Sequence, residues 1–145
     1  MSQSPSPYDP ARARRTLFGA LIEARGAFGG SKPIVVDGDE RTLTYSQLMR
    51  GTLALGRALK AGTSEGETIG VLLPTGLGSV VTVYALSAFG RVPAMLNFTA
   101  GERSLEAALK SAKISRVVTA HRFVDLGKLE ALEAWLKTVT ELVYL

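Results

Sequence analysis

The chain has 145 residues, 46% of them hydrophobic and 21% charged, which is the composition of a globular domain long enough to bury one core. It has no cysteine, so disulfides, thiolate metal sites and cysteine nucleophiles are excluded, in keeping with a reducing cytoplasm. The formal charge of +4 is dispersed apart from Arg12, Arg14 and Arg15, which read as a solvated face; the dense basic stripe with interleaved aromatics of a nucleic-acid binder is absent, so no nucleic-acid partner is expected.

Residues 1–10, with Ser4, Pro5, Ser6 and Pro7, read as a disordered lead, and no apolar stretch near Met1 resembles a secretory signal. Leu17, Phe18, Leu21 and Ile22 then predict one amphipathic helix over 11–27, ended by Gly26, Gly29 and Gly30. Residues 33–37 and 41–44 are strand candidates joined by Asp37-Gly38-Asp39-Glu40, an N-terminal β-hairpin. Thr44 stands three residues before Gln47 and just ahead of Leu48, Thr52, Leu55 and Leu59, so a capping box is expected to open a helix that runs to about Lys60.

The organising stretch is 69–97. It opens on a branched apolar strand, breaks at Pro74, Gly76 and Gly78, continues with a helical period at Leu77, Val80, Val81, Tyr84 and Ala88, and ends in a second apolar run over 92–96 after Gly90. That is a βαβ unit, and because neither strand alternates, both are expected to be covered on two faces of a parallel sheet. No charge falls between Glu67 and Arg91, yet only about 13 residues, roughly 20 Å of helix, follow Gly76, too little to cross a bilayer. A helix from Glu102 through Leu105 and Leu109, a strand over 116–120, one last helix through Leu126, Leu129, Leu132 and Leu136, and a strand over 139–145 complete the pattern. The predicted fold is α/β: an open, mostly parallel sheet with helices on both faces plus the hairpin. Ending on an apolar strand, the chain reads as a piece cut from a longer protein, and a sheet edge exposed by such a cut would invite an artefactual dimer.

Ligands of open α/β sheets gather at the carboxyl ends of the strands, here the turns at 74–79, 97–101 and 120–123. Gly76-Leu77-Gly78 sits where a dinucleotide fingerprint would, but position 81 is Val81 rather than the third glycine, and Gly127-Lys128 is followed by Leu129 rather than a P-loop hydroxyl, so the glycines read as a tight turn. His121 is the sole histidine; Asp125, four residues on, could orient it, but no activated serine accompanies it. No catalytic residue, cofactor-binding residue or metal ligand is identified. Two readings of function stay open on the residues alone: a fragment of an enzyme, or a stand-alone flavodoxin-like nucleotide-binding or protein-interaction module.

Leu43-Thr44-Tyr45-Ser46-Gln47-Leu48 resembles the Leu-Thr-Tyr-x-Glu-Leu motif of the adenylate-forming (AMP-binding) acyl ligases, with Gln47 for glutamate. Val71-Leu72-Leu73-Pro74-Thr75 is similar to their Leu-Leu-Pro-Asn turn, with Thr75 for asparagine, and 85–96 resembles their second core motif, with Gly90 and Pro93 in place. Residues 91–101 are most similar to the synthetase half of the bacterial acyl-acyl carrier protein synthetases and 2-acylglycerophosphoethanolamine acyltransferases. The resemblance covers 17–145 and implies that 11–145 are the N-terminal part of such a ligase. The parent enzyme would use ATP and magnesium to form an acyl-adenylate from a fatty acid, then pass the acyl group to acyl carrier protein, CoA or a lysophospholipid, in the cytoplasm or at the inner face of the membrane.

The family's Ser/Thr/Gly-rich phosphate loop, its later nucleotide-binding motifs and its C-terminal lysine have no counterpart here, so the resemblance implies an inactive scaffold that needs the remaining ligase domain in cis. Gly76, Asn97 and Thr99 are the positions that could border a substrate or carrier surface; loop capping is the competing role.

Overall fold

A computed structural model describes residues 8–145. The elements are α1 (Pro10–Ala13), α2 (Leu17–Phe28), β1 (Pro33–Val36), β2 (Thr42–Thr44), α3 (Tyr45–Lys60), β3 (Thr68–Val71), α4 (Leu77–Ala88), β4 (Val92–Met95), α5 (Glu102–Ser111), β5 (Arg116–Thr119), α6 (His121–Gly127), α7 (Glu130–Val139) and β6 (Glu141–Tyr144). Strands β1 and β2 pair as an antiparallel hairpin, while β4, β3, β5 and β6, in that spatial order, form a parallel sheet. The expected fold class is the observed one.

Strand β3 is the axis. Ile69 and Val71 face one way, into a core with Leu55 and Leu59 of α3, Ala85 and Leu86 of α4, and Val118 of β5. Leu72, just past the strand, faces the other way, into a core with Leu105 and Leu109 of α5, Val117 of β5, and Leu132, Trp135 and Leu136 of α7. Val71 and Val117 are 0% exposed, and burying each such side chain contributes about 1.5–3 kcal/mol. The alternation of a short strand thus separates two cores that share its backbone.

Helix α3 begins as expected: the Gln47 amide donates to Thr44 Oγ1 at 3.2 Å and the Thr44 amide to Gln47 Oε1 at 2.8 Å, a complete capping box. Asp37 closes the hairpin turn, its Oδ1 accepting from the amides of Asp39 and Arg41, both at 3.0 Å. Gly90 has φ +75°, the left-handed turn that lets the Arg91 amide donate back to the Leu86 carbonyl at 2.9 Å and stop α4.

Three expectations need correction. The helix expected over 11–27 is two, because Thr16 is extended and its hydroxyl accepts from the Gly19 amide at 3.0 Å; a short β-branched hydroxyl residue serves better as a cap than inside a helix. The last helix also breaks. Lys128 is left-handed at φ 51° and the Leu129 amide closes back on the Val124 carbonyl at 2.9 Å, so Leu126, expected in the buried stripe, is 74% exposed. Strand β4 is not covered on both faces: it is an edge strand with Val92 and Met95 half-exposed, a place that tolerates Pro93, which has no N–H to donate. Residues 1–7 of the expected lead lie outside the described residues, and Asp9, whose carboxylate accepts from the Ala11 amide, already caps α1.

At the amino end of the sheet two arginines hold separate turns. Arg91, only 8% exposed, donates to Thr63 Oγ1 at 2.8 Å and to the Thr63 and Phe89 carbonyls, joining the loop after α3 to the turn after α4. Arg116 bridges Glu67 at 2.7 Å and Glu141 at 2.8 Å, tying the starts of β3, β5 and β6. Burial alone would raise the Glu67 carboxyl, but the Ser64 amide, the Arg116 guanidinium and the charge of Arg91 outweigh it and hold Glu67 below its ordinary 4.5.

Because the folded pKa of Glu67 lies under the unfolded one, its stabilisation is fully present above about pH 4.5 and is lost as the pH falls through the folded value. Melts of the wild type and Glu67→Gln from pH 7 down to 3 are expected to differ by about 1–3 kcal/mol at neutrality, with the gap closing in acid; a gap that persists unchanged at pH 3 contradicts the assignment. A second outcome concerns the contact of α3 with α4. A Cβ on Gly56 would sit 2.3 Å from the Phe89 ring and 2.9 Å from the Ala85 carbonyl oxygen, which is backbone and cannot swing away. Gly56→Ala is therefore expected to lower unfolding free energy by about 1–3 kcal/mol in urea titrations, despite alanine's better helix propensity.

Candidate functional site

The carboxyl ends of the strands carry the turns 72–76, 96–101 and 120–121. From β3 the chain leaves to one side, through α4 to β4, and from β4 it returns across β3, through α5, to β5. The two connections diverge between β3 and β5, the switch point at which open α/β sheets bind ligands.

At that point the two strand ends are bonded to each other. The Leu72 amide donates to the Val118 carbonyl at 2.9 Å, and Thr119 Oγ1, with Thr119 0% exposed, donates to the Leu72 carbonyl at 2.9 Å. Ser79 Oγ donates to the Pro74 carbonyl and Thr82 Oγ1 to the Gly78 carbonyl at 2.8 Å, so the hydroxyls at the start of α4 are turned onto backbone. Of Gly76-Leu77-Gly78, which the sequence placed in a strand-to-helix turn, Gly76 is the N-cap of α4 while Leu77 and Gly78 open the helix itself; a Cβ added to Gly76 would meet nothing within 4 Å.

Asn97 and Thr99 come together. Asn97 Oδ1 accepts from the Thr99 amide at 3.0 Å and from Thr99 Oγ1 at 2.8 Å, while both residues are exposed. This is an Asx turn, in which the amide side chain stands in for a backbone carbonyl. Phe98 between them points inward and meets Phe123 edge-on, ring centroids 5.1 Å apart. Gly76 sits after β3, while Asn97 and Thr99 sit after β4, neighbouring strands of the sheet.

His121 has a partner other than the one its sequence neighbourhood indicates. Its ring stacks on Tyr144, centroids 3.8 Å apart and planes within 4°, rather than being oriented by Asp125. Tyr144 Oη donates to Glu133 Oε1, and Glu133 Oε2 pairs with Lys137 at 3.1 Å. The bond from Tyr144, then that from Lys137, holds the Glu133 carboxyl below its usual range, and burial followed by the Glu133 bond holds the Tyr144 phenol up, so it keeps its proton. The four side chains fasten α6 and α7 to the end of β6. Only Glu133 and Lys137, at i and i+4, leave a sequence trace; His121 and Tyr144 come from opposite ends of a connection.

Among the described residues no group of three or more His, Cys, Asp and Glu side chains could hold a metal ion, and no helix is long and apolar enough to cross a membrane. At the rim the hydroxyls of Ser79, Thr82 and Thr119 are bonded to backbone carbonyls, and Thr99 to the Asn97 side chain.

The profile of the AMP-binding enzyme family matches residues 22–144. An acetyl-coenzyme A synthetase of Chromobacterium violaceum is 32% identical over 101 residues, 68% of this chain and 15% of that protein. The o-succinylbenzoate CoA synthetase of Bacillus subtilis, solved with an acyl-adenylate intermediate, superposes with a TM-score of 0.72 at 16% identity, over 89% of this chain and 31% of that one. The N-terminal subdomain of Klebsiella oxytoca NpsA superposes with a TM-score of 0.67 at 19% identity, over 72% of this chain and 27% of that one. The chain therefore spans under a third of each of these relatives, and at such identities the two solved structures speak for the fold alone. With the match running through the hairpin, the capping box, both cores and β6, the chain belongs to the AMP-binding enzyme family.

Proposed function

We propose that this chain is the N-terminal scaffold of a longer AMP-forming acid ligase, and that the ligase activates a fatty acid. The observation that carries the reading is the family match across 22–144 in a chain that spans 15% of its acetyl-coenzyme A synthetase relative. The choice of a fatty acid rests on the likeness of 91–101 to acyl-acyl carrier protein synthetases. Acyl carrier protein, CoA or a lysophospholipid would accept the acyl group, in the cytoplasm or at the inner face of the membrane. Self-association of the isolated chain through the open edge of β6 would then belong to the piece rather than to the ligase.

A carboxylate resists nucleophiles because of its charge, and esterification to AMP gives it a leaving group; ATP with magnesium supplies that chemistry in the ligase. The described residues do not fit either group. The carboxylates of the sheet's amino end are engaged with Arg116, and Asn97, Thr99, Ser79 and Thr119 bond within the rim. No catalytic step is therefore assigned to them. Gly76, Asn97 and Thr99 are proposed to form a wall beside the acid or its carrier.

The test is acid-dependent ATP–pyrophosphate exchange. The longer polypeptide encoded by the same reading frame is expected to exchange with long-chain fatty acids, and the 145-residue chain to show none. Exchange by a clean sample of the short chain overturns the scaffold reading, and a long polypeptide that exchanges with acetate but not with fatty acids overturns the substrate.

A further inference from the structure

Helix α2 departs from the pattern of a surface helix. Of its twelve residues only Glu23 and Arg25 are charged, and apolar or small residues run round the rest of its circumference. A helix of that kind is ordinarily buried. Yet Leu21 is its one buried residue, and Leu17, Ile22 and Phe28 are 42%, 49% and 60% exposed. At 100° per residue, Ile22, Glu23, Gly26 and Ala27 fall on the side away from Leu21, and all four are exposed. Glu23 is paired there with Arg15, so the outward side of α2 carries no net charge of its own.

The surroundings of this helix are basic. Arg12, Arg14 and Arg15 precede it against the single Asp9, whose carboxylate caps α1, and Arg14 is exposed. At the far end Lys32 Nζ stands 4.7 Å from the centre of the Phe28 ring, and Arg25 donates to Ser46 Oγ at the start of α3. Helix α3 itself has Arg50, Arg57 and Lys60, all exposed, and no acidic residue. Residues 8–60 hold nine basic and five acidic side chains and 61–145 hold eight of each, so the net charge of +4 belongs wholly to the part of the chain that contains α1–α3.

We infer that α2 is a contact for an anionic lipid bilayer, with Leu17, Ile22 and Phe28 entering the headgroup boundary and Arg14 and Lys32 at the level of the lipid phosphates. Exposed apolar side chains flanked by basic ones are what such a surface selects, because apolar burial and attraction to anionic headgroups add. A second copy seated on the same helix would bring two basic flanks together. A covering protein segment would have to take those charges out of water, whereas a bilayer leaves them among its headgroups. The contact gives the proposed ligase a partner but does not depend on adenylation.

Co-sedimentation with vesicles of phosphatidylglycerol and phosphatidylcholine in equal parts tests it. The 145-residue chain is expected to bind them, and vesicles of phosphatidylcholine alone about tenfold more weakly or less. Arg14→Glu and Ile22→Ser are each expected to weaken binding by about tenfold, while Leu126→Ser, equally apolar and exposed but on α6 at the other side of the sheet, changes nothing. No binding overturns the contact. So does binding that Arg14→Glu abolishes and Ile22→Ser leaves intact, which is attraction to any polyanion, or binding that Leu126→Ser weakens as much as Ile22→Ser does. The longer polypeptide is expected to sediment with the same vesicles; if it stays in solution while the short chain binds, α2 is covered within the ligase and the proposal falls. Pyrophosphate exchange is measured without lipid, so its absence sinks the ligase reading alone and lost sedimentation sinks the bilayer contact alone.

Discussion

The structure depends on the burial of β3 between two neighbours and under two helical layers. Thr68–Val71 is four residues long, yet it pairs with β4 on one side and β5 on the other, sends Ile69 and Val71 into one core and hands the chain to Leu72, which enters the other. A strand so short has few backbone bonds of its own, and its place is fixed by what packs on it. Ile69 and Val71 are at most 1% exposed, so a polar group placed there would be buried without a partner, and α3 approaches α4 until a Cβ on Gly56 would meet the Phe89 ring.

The two ends of the sheet solve different problems. At the amino end the charges are partnered across the chain: Arg116 reaches residues 49 and 25 positions away, and Arg91 reaches Thr63, 28 positions away. Such bonds fix the order of strands, because no local turn could make them. At the carboxyl end most bonds are local, Asn97 with Thr99, Ser79 with Pro74, Thr82 with Gly78. A rim held by local bonds can change its turns without moving the strands beneath, which suits a surface whose composition varies with the ligand while the sheet stays constant.

Much of this was legible in the residues, and the reasons are physical. The capping box at Thr44 and Gln47 and the strand–turn–helix after Leu73 are local devices, each written in a few adjacent positions. What escaped was in part local, like the cap at Thr16, and in part set elsewhere. At Lys128 the chain turns left-handed and the Leu129 amide returns to the Val124 carbonyl, although the apolar period runs unbroken through Leu126 and Leu129. The exposure of β4 follows from strand order, since Val92 and Met95 look as buried in sequence as Ile69 and Val71. At the candidate site, the turns 74–79 and 97–101 were found by their glycines and position, but His121 on Tyr144 joins two residues 23 positions apart, and neither has an apolar period to announce it.

The strand order bears on function in one further way. Order β4-β3-β5-β6 is the order 2-1-3-4 with which flavodoxin-like sheets begin, so topology by itself suits either a nucleotide-binding module or a ligase scaffold. The distinction lies in what fills the switch point. At the switch point here Thr119 Oγ1 is spent on the Leu72 carbonyl and the Leu72 amide on the Val118 carbonyl. Opening that seam would cost the buried hydroxyl its partner, about 1–3 kcal/mol for each such group left unsatisfied. The sheet is therefore better placed to carry a site built against its rim than to hold one within it.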